Sequence, residues 1–350
     1  MLFPQRLDFT DSKATAALGS SYTFDITREF HIDTIIIHLS LNVGTVAATM
    51  NADSLQNVLK RVTMTVADGA RTRNVVDMSG PALLEYWAHV NGQLDFTTAT
   101  AVNTNTTGIK NLYYPIPFVL PNVDDPFGSV LLLPAPRFTS NPQLQLTFAS
   151  VTDIDVNVTP TFVVSGNIVA RCIVIRRSVL VRDWLTYDAE LLESTVAYTT
   201  SASNQGYELQ SPGSYTGILL RCYLSSAAHG DISIANGEFK LQLLGTNLRR
   251  FRLTDEEVIN YYSKIPNVGA VSIFPGSYFM DFLSDKMGNS AGEFGSVLDA
   301  NLPVTTGARL RLLQDINGAA GVQVKYVTHR IFGVLDKLKM LSRLGSKPKG

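Results

Sequence analysis

Apolar residues recur at every second position in many short runs of this chain, and Gly, Pro, Asn and Thr punctuate the runs. A period of two puts alternate side chains on opposite faces of an extended strand, so the sequence predicts a largely β protein with strands wet on one face. In TIIIHLSL, Ile35, Ile37, Leu39 and Leu41 fall on one face while Ile36, His38 and Ser40 fall on the other. In RVTMTVADG, Val62, Met64 and Val66 alternate with Thr63 and Thr65 before an Asp68-Gly69 turn signal. QLQLTF repeats the pattern with Leu144, Leu146 and Phe148, and RLRL does so with Leu310 and Leu312 against Arg309 and Arg311.

Helix signals are few, and two stand in matching places. Ser79 is placed to cap GPALLEYWAHV, with Pro81 in the first turn, and Thr254 to cap DEEVINYYSKI, with Glu257 completing a capping box. Each helix carries an aromatic pair toward its end, Tyr86-Trp87 and Tyr261-Tyr262.

The correspondence extends to a repeat of the whole unit. LKRVTMTVADGARTRNVVDMSGPALLEYWAHVNG is followed by an IPF segment, LPAPRFTSNPQLQLTF and TFVVSGNIVARCIVI. GEFKLQLLGTNLRRFRLTDEEVINYYSKIPNVG is followed by SYFMDFL, LPVTTGARLRLLQ and GVQVKYVTHRIFGVL. Order, element type and punctuation agree between the two. Two tandem β-sandwiches, each with one short helix in a connection, fit an all-β double jelly roll. The expected division is 1–176 for the first jelly roll, 177–335 for the second and 336–350 for a basic tail. The Thr- and Asn-rich stretch 93–111 reads as an exposed loop.

Composition supports two packed units: 350 residues with 45% hydrophobic content suffice for a core in each. A net charge of -1 gives no global field toward nucleic acid. The charge asymmetry lies in the tail, where Lys337, Lys339, Arg343, Lys347 and Lys349 stand with no acid among them. Cys172 and Cys222 each sit in an apolar run without zinc-type spacing, which predicts buried free thiols. No run approaches the length needed to span a bilayer, and MLFPQRLDF lacks a signal-peptide core, so a chain made and kept soluble is expected.

On residues 60–92, PIPF at 115–118, LLLPAPRF at 131–138 and their second-half echoes, the chain resembles the double jelly-roll major capsid proteins of tailless, membrane-containing icosahedral phages. This is the lineage of PRD1 and PM2, and the PM2-type coat proteins are the nearest in pattern. The resemblance implies a homotrimer whose six jelly rolls form a pseudo-hexagonal tile in a virion shell, with neighbouring trimers and minor capsid and penton proteins as partners. It also implies a lipid membrane beneath the shell. In IFGVLDKLKMLSRL, Leu335, Leu338, Leu341 and Leu344 share one broad helical face beside Lys337, Lys339 and Arg343, a pattern suited to anionic lipid or to the inner surface of a shell. A solvated tail or a helix packed on a neighbouring subunit is the plainer reading.

Catalytic chemistry is not indicated, and neither enzyme activity nor a cofactor is expected. His31, His38, His89, His229 and His329 show no metal-ligand spacing, and His31 and His38, seven apart, fall on opposite faces of one strand. Each reads as a satisfied core or surface residue. Asp153, Asp155 and Asn157 alternate as in a calcium loop, but Val158 and Val164 stand where the turn glycine and bidentate Glu belong, leaving a solvated loop or a looser ion site. Asp124-Asp125 and Glu256-Glu257 are adjacent carboxylates without a catalytic context. Nucleophile-elbow and phosphate-loop motifs are absent. Arg249, Arg250 and Arg252, interleaved with Phe251 and Leu253, suit a strand edge at an interface better than sequence-specific nucleic-acid reading. A virion spike or carbohydrate-binding protein is the alternative, but Trp87 and Trp184 alone make a poor sugar platform.

Overall fold

The computed structural model describes residues 5–69, 71–91, 105–118, 132–178, 188–209, 213–230, 232, 238–243, 245–251, 276–281, 302–304 and 310–332. The first half holds β1 (Gln5–Ala16), β2 (Ser21–Asp25), β3 (His31–Thr45), β4 (Leu59–Asp68), β5 (Arg71–Met78), α1 (Gly80–Asn91), β6 (Gly108–Pro117), β7 (Gln143–Phe148), the single turn α2 (Val151–Ile154), β8 (Val163–Val164) and β9 (Ile168–Ser178). The second holds β10 (Asp188–Ala197), β11 (Ala202–Leu209), β12 (Gly213–Ser225), β13 (Ala228–His229), β14 (Phe239–Leu243), β15 (Thr246–Phe251), β16 (Ser277–Asp281), β17 (Leu302–Val304), β18 (Leu310–Ile316) and β19 (Gln323–Phe332).

The pairing order is the same in both halves. In the first, β1-β9-β3-β6 form one sheet, joined by β8, and β2-β7-β4-β5 run side by side in another. In the second, β10-β19-β12-β16 and β11-β18-β14-β15 take the corresponding places. Four strands facing four, twice, is an all-β double jelly roll.

Hydrophobic alternation explains which face turns inward. Ile35, Ile37, Leu39 and Leu41 of β3 are buried, as are Val62, Met64 and Val66 of β4 and Leu144, Leu146 and Phe148 of β7. Leu310 and Leu312 of β18 point into the second core. Gly69, at φ 61, supplies the left-handed residue that the Asp68-Gly69 signal required. Both cysteines are free and buried, and burial pushes the Cys172 thiol up to about 12.

Two expectations need correction. The stretch 93–111 is not loop throughout, because β6 begins at Gly108 and its Gly108–Asn111 segment pairs with Val43–Ser40 of β3. Cross-strand pairing overrides the loop-like composition there. Ser79 precedes α1, but its hydroxyl is buried and makes no hydrogen bond among the described residues. Its backbone N–H instead donates to Glu193 of the second half at 2.5 Å. The predicted helix after Thr254, the carboxylate pairs 124–125 and 256–257, Arg252 and Trp184 lie outside the described residues.

The halves share one continuous sheet. β5 and β10 run parallel, with Leu191 beside Val76 and Leu192 beside Asp77, so a ten-stranded sheet passes from one jelly roll into the other. Parallel pairing here needs no crossover within either sandwich, because the two strands belong to different sandwiches.

Candidate functional site

The most concentrated chemistry lies on the seam between the two jelly rolls. β12 builds one side of it from the run GILLRCY, which is buried on both faces. Ile218, Leu220 and Cys222 belong to the second core, whereas Leu219 joins Leu191, Phe279 and Val327 in the first core's cluster. With a period of two, Arg221 and Tyr223 then point the same way as Leu219, toward the first half. α1 builds the other side, burying Ala82, Leu83, Glu85 and Tyr86.

Arg221 is fully enclosed. Its Nε and Nη2 donate to the two oxygens of Glu85 at 2.8 Å each, and Nη2 also donates to Asp53. Tyr223 donates its hydroxyl to Asp53 at 3.1 Å, Ser277 donates to Glu85 at 2.9 Å, and His229 Nε2 lies 2.9 Å from Asp53. Lys325 sits 3.9 Å from Asp53 and 3.8 Å from Glu193. Burial by itself would raise the Asp53 carboxyl, but Arg221, His229 and Lys325 override it and hold the group well below the usual carboxylate range. Burial likewise opposes the charge on Arg221, and Asp53 and Glu85 more than offset it.

Beside this network, Tyr86 Oη and Thr216 Oγ1 lie 2.8 and 2.7 Å from His329 Nδ1, and Tyr86 packs edge-on against Phe279. Burial pushes His329 down to about 4, so the ring is neutral at neutral pH. A third tie is backbone to backbone: Ala52 N–H donates to the Ser226 carbonyl at 2.9 Å.

Asp53, Glu85 and His229 offer ligand atoms within 4.8 Å of one another, a spacing that a cation could use. The Arg221 guanidinium stands among them and takes up both Glu85 oxygens and one of Asp53, so the set is an ion-pair network and not a metal centre. With its carboxylates buried and hydrogen-bonded, the seam ties the two halves together.

The residues singled out in the sequence are scattered. Lys337, Lys339, Arg343, Lys347 and Lys349 lie outside the described residues, and so does the side chain of His89. His38 stacks on Tyr113 at 4.5 Å and meets Asn111 at 3.0 Å. The expectation that His31 falls on the opposite face needs correction: a bulge between Ile32 and Thr34 shifts the register, so His31, opposite Arg177, lies on the same face of β3 as His38, opposite Arg171. Arg249 and Arg250 fall on β15, an edge strand of its sheet.

The solvated-loop reading of Asp153-Asp155-Asn157 is overturned for Asp155, which is fully buried. Its carboxylate accepts backbone N–H groups from Ala48, Thr49, Asn157 and Thr161 at 2.7 to 3.2 Å. Asp153 pairs with Lys60 at 2.8 Å and completes a capping box with Ser150. Those Asp155 oxygens pin the loop to the 48–49 segment that follows β3 and are occupied by backbone N–H groups, not free for calcium.

Sequence reasoning passed over Asp53, Glu85, Glu193, Arg221 and Lys325. A signal did exist: Glu85 and Arg221 are charges set inside the apolar runs LLEYW and ILLRCY, and buried charges are rarely unpaired.

No protein-family model matches the sequence, and no curated protein is similar to it by sequence. Solved structures do match in shape. The STIV MCP, from Sulfolobus Turreted Icosahedral Virus, superposes with a TM-score of 0.66 at 15% identity, over 95% of this chain and 99% of that one. The fold is that of the double jelly-roll coat proteins. The major capsid protein P2 of bacteriophage PM2 matches at 0.55 and 13% identity, over 92% of this chain and 97% of that one. VP54 of PBCV-1 matches at 0.56 and 11%, over 95% of each. The PM2 coat protein is thus among the double jelly-roll neighbours, alongside coat proteins from other viruses. Among the described residues, no helix is long and apolar enough to cross a membrane.

Proposed function

We propose that this chain is a major capsid protein, built to assemble into an icosahedral virion shell and not to catalyse. One observation carries the reading: a single chain repeats one jelly-roll strand order and fuses the copies through a shared sheet, a shape that viral coat proteins match over nearly their whole length. Two similar lobes per chain and three chains per tile give near six-fold packing from three-fold symmetry. The shell unit is therefore a homotrimer, divided within each chain near Arg176-Arg177, and it contacts neighbouring trimers and minor and penton proteins.

The shell lies over an internal lipid membrane, and the basic tail faces it. β19 ends at Phe332 beside Asp188, and Gln5 pairs with Ser178, so both ends of the described chain flank the connection between the jelly rolls. A tail leaving from there with Lys337, Lys339, Arg343, Lys347 and Lys349 would gain about 1 kcal/mol per basic residue near an anionic surface.

Size-exclusion chromatography with light scattering tests the shell unit: a trimer is expected, and a monomer at high concentration would refute it. Cosedimentation with anionic vesicles tests the tail. Truncation after Leu335 should abolish it, and equal binding by the truncated chain would remove the membrane contact from the proposal.

A further inference from the structure

The first jelly roll carries a rigid, bare tip at the end opposite the start of β1. β3 runs from His31, beside Arg177 near the end of β9, to Thr45, and the 46–49 segment, the 155–161 loop and the start of β6 gather at its Thr45 end. Asp155 fixes the loop there through backbone N–H groups of Ala48, Thr49, Asn157 and Thr161, and the Thr161 hydroxyl adds a bond to the Val46 carbonyl at 2.9 Å. The side chains that this framework presents pack on little. Asn157, Val158 and Thr159 are exposed, Val158 completely. Ile109 and Val163, which pair with Asn42 and Thr45 of β3, are exposed at the same end. Apolar groups held bare in fixed positions call for a cover.

The tip also carries an acceptor sequence. Asn-x-Ser/Thr occurs twice in the chain, as Asn157-Val158-Thr159 and Asn105-Thr106-Thr107. Both stand at this end, and their hydrogen bonds separate them. Asn105 spends its carboxamide on the backbone: Nδ2 donates to the Ala47 carbonyl at 2.7 Å, and Oδ1 accepts the Ala47 N–H at 3.1 Å. Asn157 stays within its own turn. Its Oδ1 accepts the Val158 N–H at 3.0 Å, and Nδ2 makes one long contact, 3.3 Å, to the Thr159 carbonyl. Nδ2 carries two hydrogens, so one can be replaced while the other keeps that contact.

We propose that Asn157 is a glycosylation site, with a nucleoside-diphosphate sugar as the donor. Nδ2 bonds to the anomeric carbon, the bond from that carbon to the diphosphate breaks, and one Nδ2 proton leaves with the nucleoside diphosphate. The tip exists only once 46–49 and 155–161 have joined, so the transferase meets a folded chain. A sugar on Nδ2 lies beside Val158 and gives the tip a hydrated surface in place of an apolar one. The site itself does not depend on the shell reading. Within that reading it faces outward, because the basic tail leaves from the other end.

The test uses the folded full chain, a soluble asparagine glycosyltransferase and uridine-diphosphate glucose, with peptide mass spectrometry to place the added hexose. Asn157 should be modified and Asn105 should not. The chain taken from purified particles should carry sugar on the same peptide. Asn157→Gln and Thr159→Val should lose the modification and Thr159→Ser should keep it, all three melting as the natural chain does. A folded chain modified at Asn105 and not at Asn157 would overturn the proposal. So would a particle protein whose mass is that of the bare 38.2 kDa chain. Neither result bears on the trimer, which light scattering decides separately.

Discussion

Glu85 and Arg221 meet as a bidentate ion pair across the seam, Nε and Nη2 each 2.8 Å from a separate carboxylate oxygen. One lies on the helix of the first jelly roll and the other on a central strand of the second, and solvent reaches neither. Removing one partner strands the other as a buried charge, so Glu85→Ala or Arg221→Met should each cost about 3–5 kcal/mol. Urea unfolding of both single variants and the double variant checks the coupling. The double should lose clearly less than the sum, and strict additivity would mean that the pair does not interact.

His329 makes the seam sensitive to acid. Its folded pKa is pushed down to about 4 by burial, below the ordinary 6.5, so between those values the unfolded chain binds a proton that the folded chain refuses. Stability contributed by the neutral ring is complete above about pH 6.5 and declines as pH falls toward 4, by up to about 3 kcal/mol. Thermal melts across this range should show the decline in the natural chain and a shallower one in His329→Gln. Parallel curves for the two would rule His329 out as its source.

Asp155 should act as a loop anchor, independent of any ion. Asp155→Ala leaves four backbone N–H groups of the 48–49 and 157–161 segments without their acceptor, at a cost of about 2–4 kcal/mol. Burial opposes the charged form, but those N–H groups hold the carboxyl well below its usual range. Its contribution is therefore present above the unfolded value near 4 and fades only as pH falls through the lower folded one. Melting in saturating calcium should match melting in a chelator; a clear rise with calcium would contradict the anchor role.

Gly217 marks how closely β16 approaches β12. A Cβ there would meet Phe279 at 2.6 Å and the Met280 carbonyl at 3.3 Å, in the same cluster that carries Leu219. Gly217→Ala should destabilise by about 1–3 kcal/mol through overpacking. Adding Phe279→Leu should recover part of the loss, and a double variant no better than Gly217→Ala would argue against the contact.

Strand identity and the internal repeat were legible because alternation at period two is a local signal. Ile35 to Leu41 and Leu144 to Phe148 declare their inward faces without help from the rest of the chain. The start of β6 was not legible, since Gly108–Asn111 reads as loop until Val43 is known to lie beside Gly108. The seam is harder still: Glu85 and Arg221 stand 136 residues apart, and only the oddity of a charge in an apolar run hints at either. Asp155 was noticed for the wrong partner, because acidic spacing shows oxygens and not the backbone N–H groups that occupy them.

The parallel step from Val76 to Leu191 has a mechanical meaning. Two sandwiches joined by a tether would swing like a hinge, whereas two that share a hydrogen-bonded sheet transmit load through it as a single plate. Pressure on a shell of such plates would be taken up along the lines where separate chains abut. The weak lines of the particle would then be drawn by its assembly contacts, with each polypeptide a stiff panel between them.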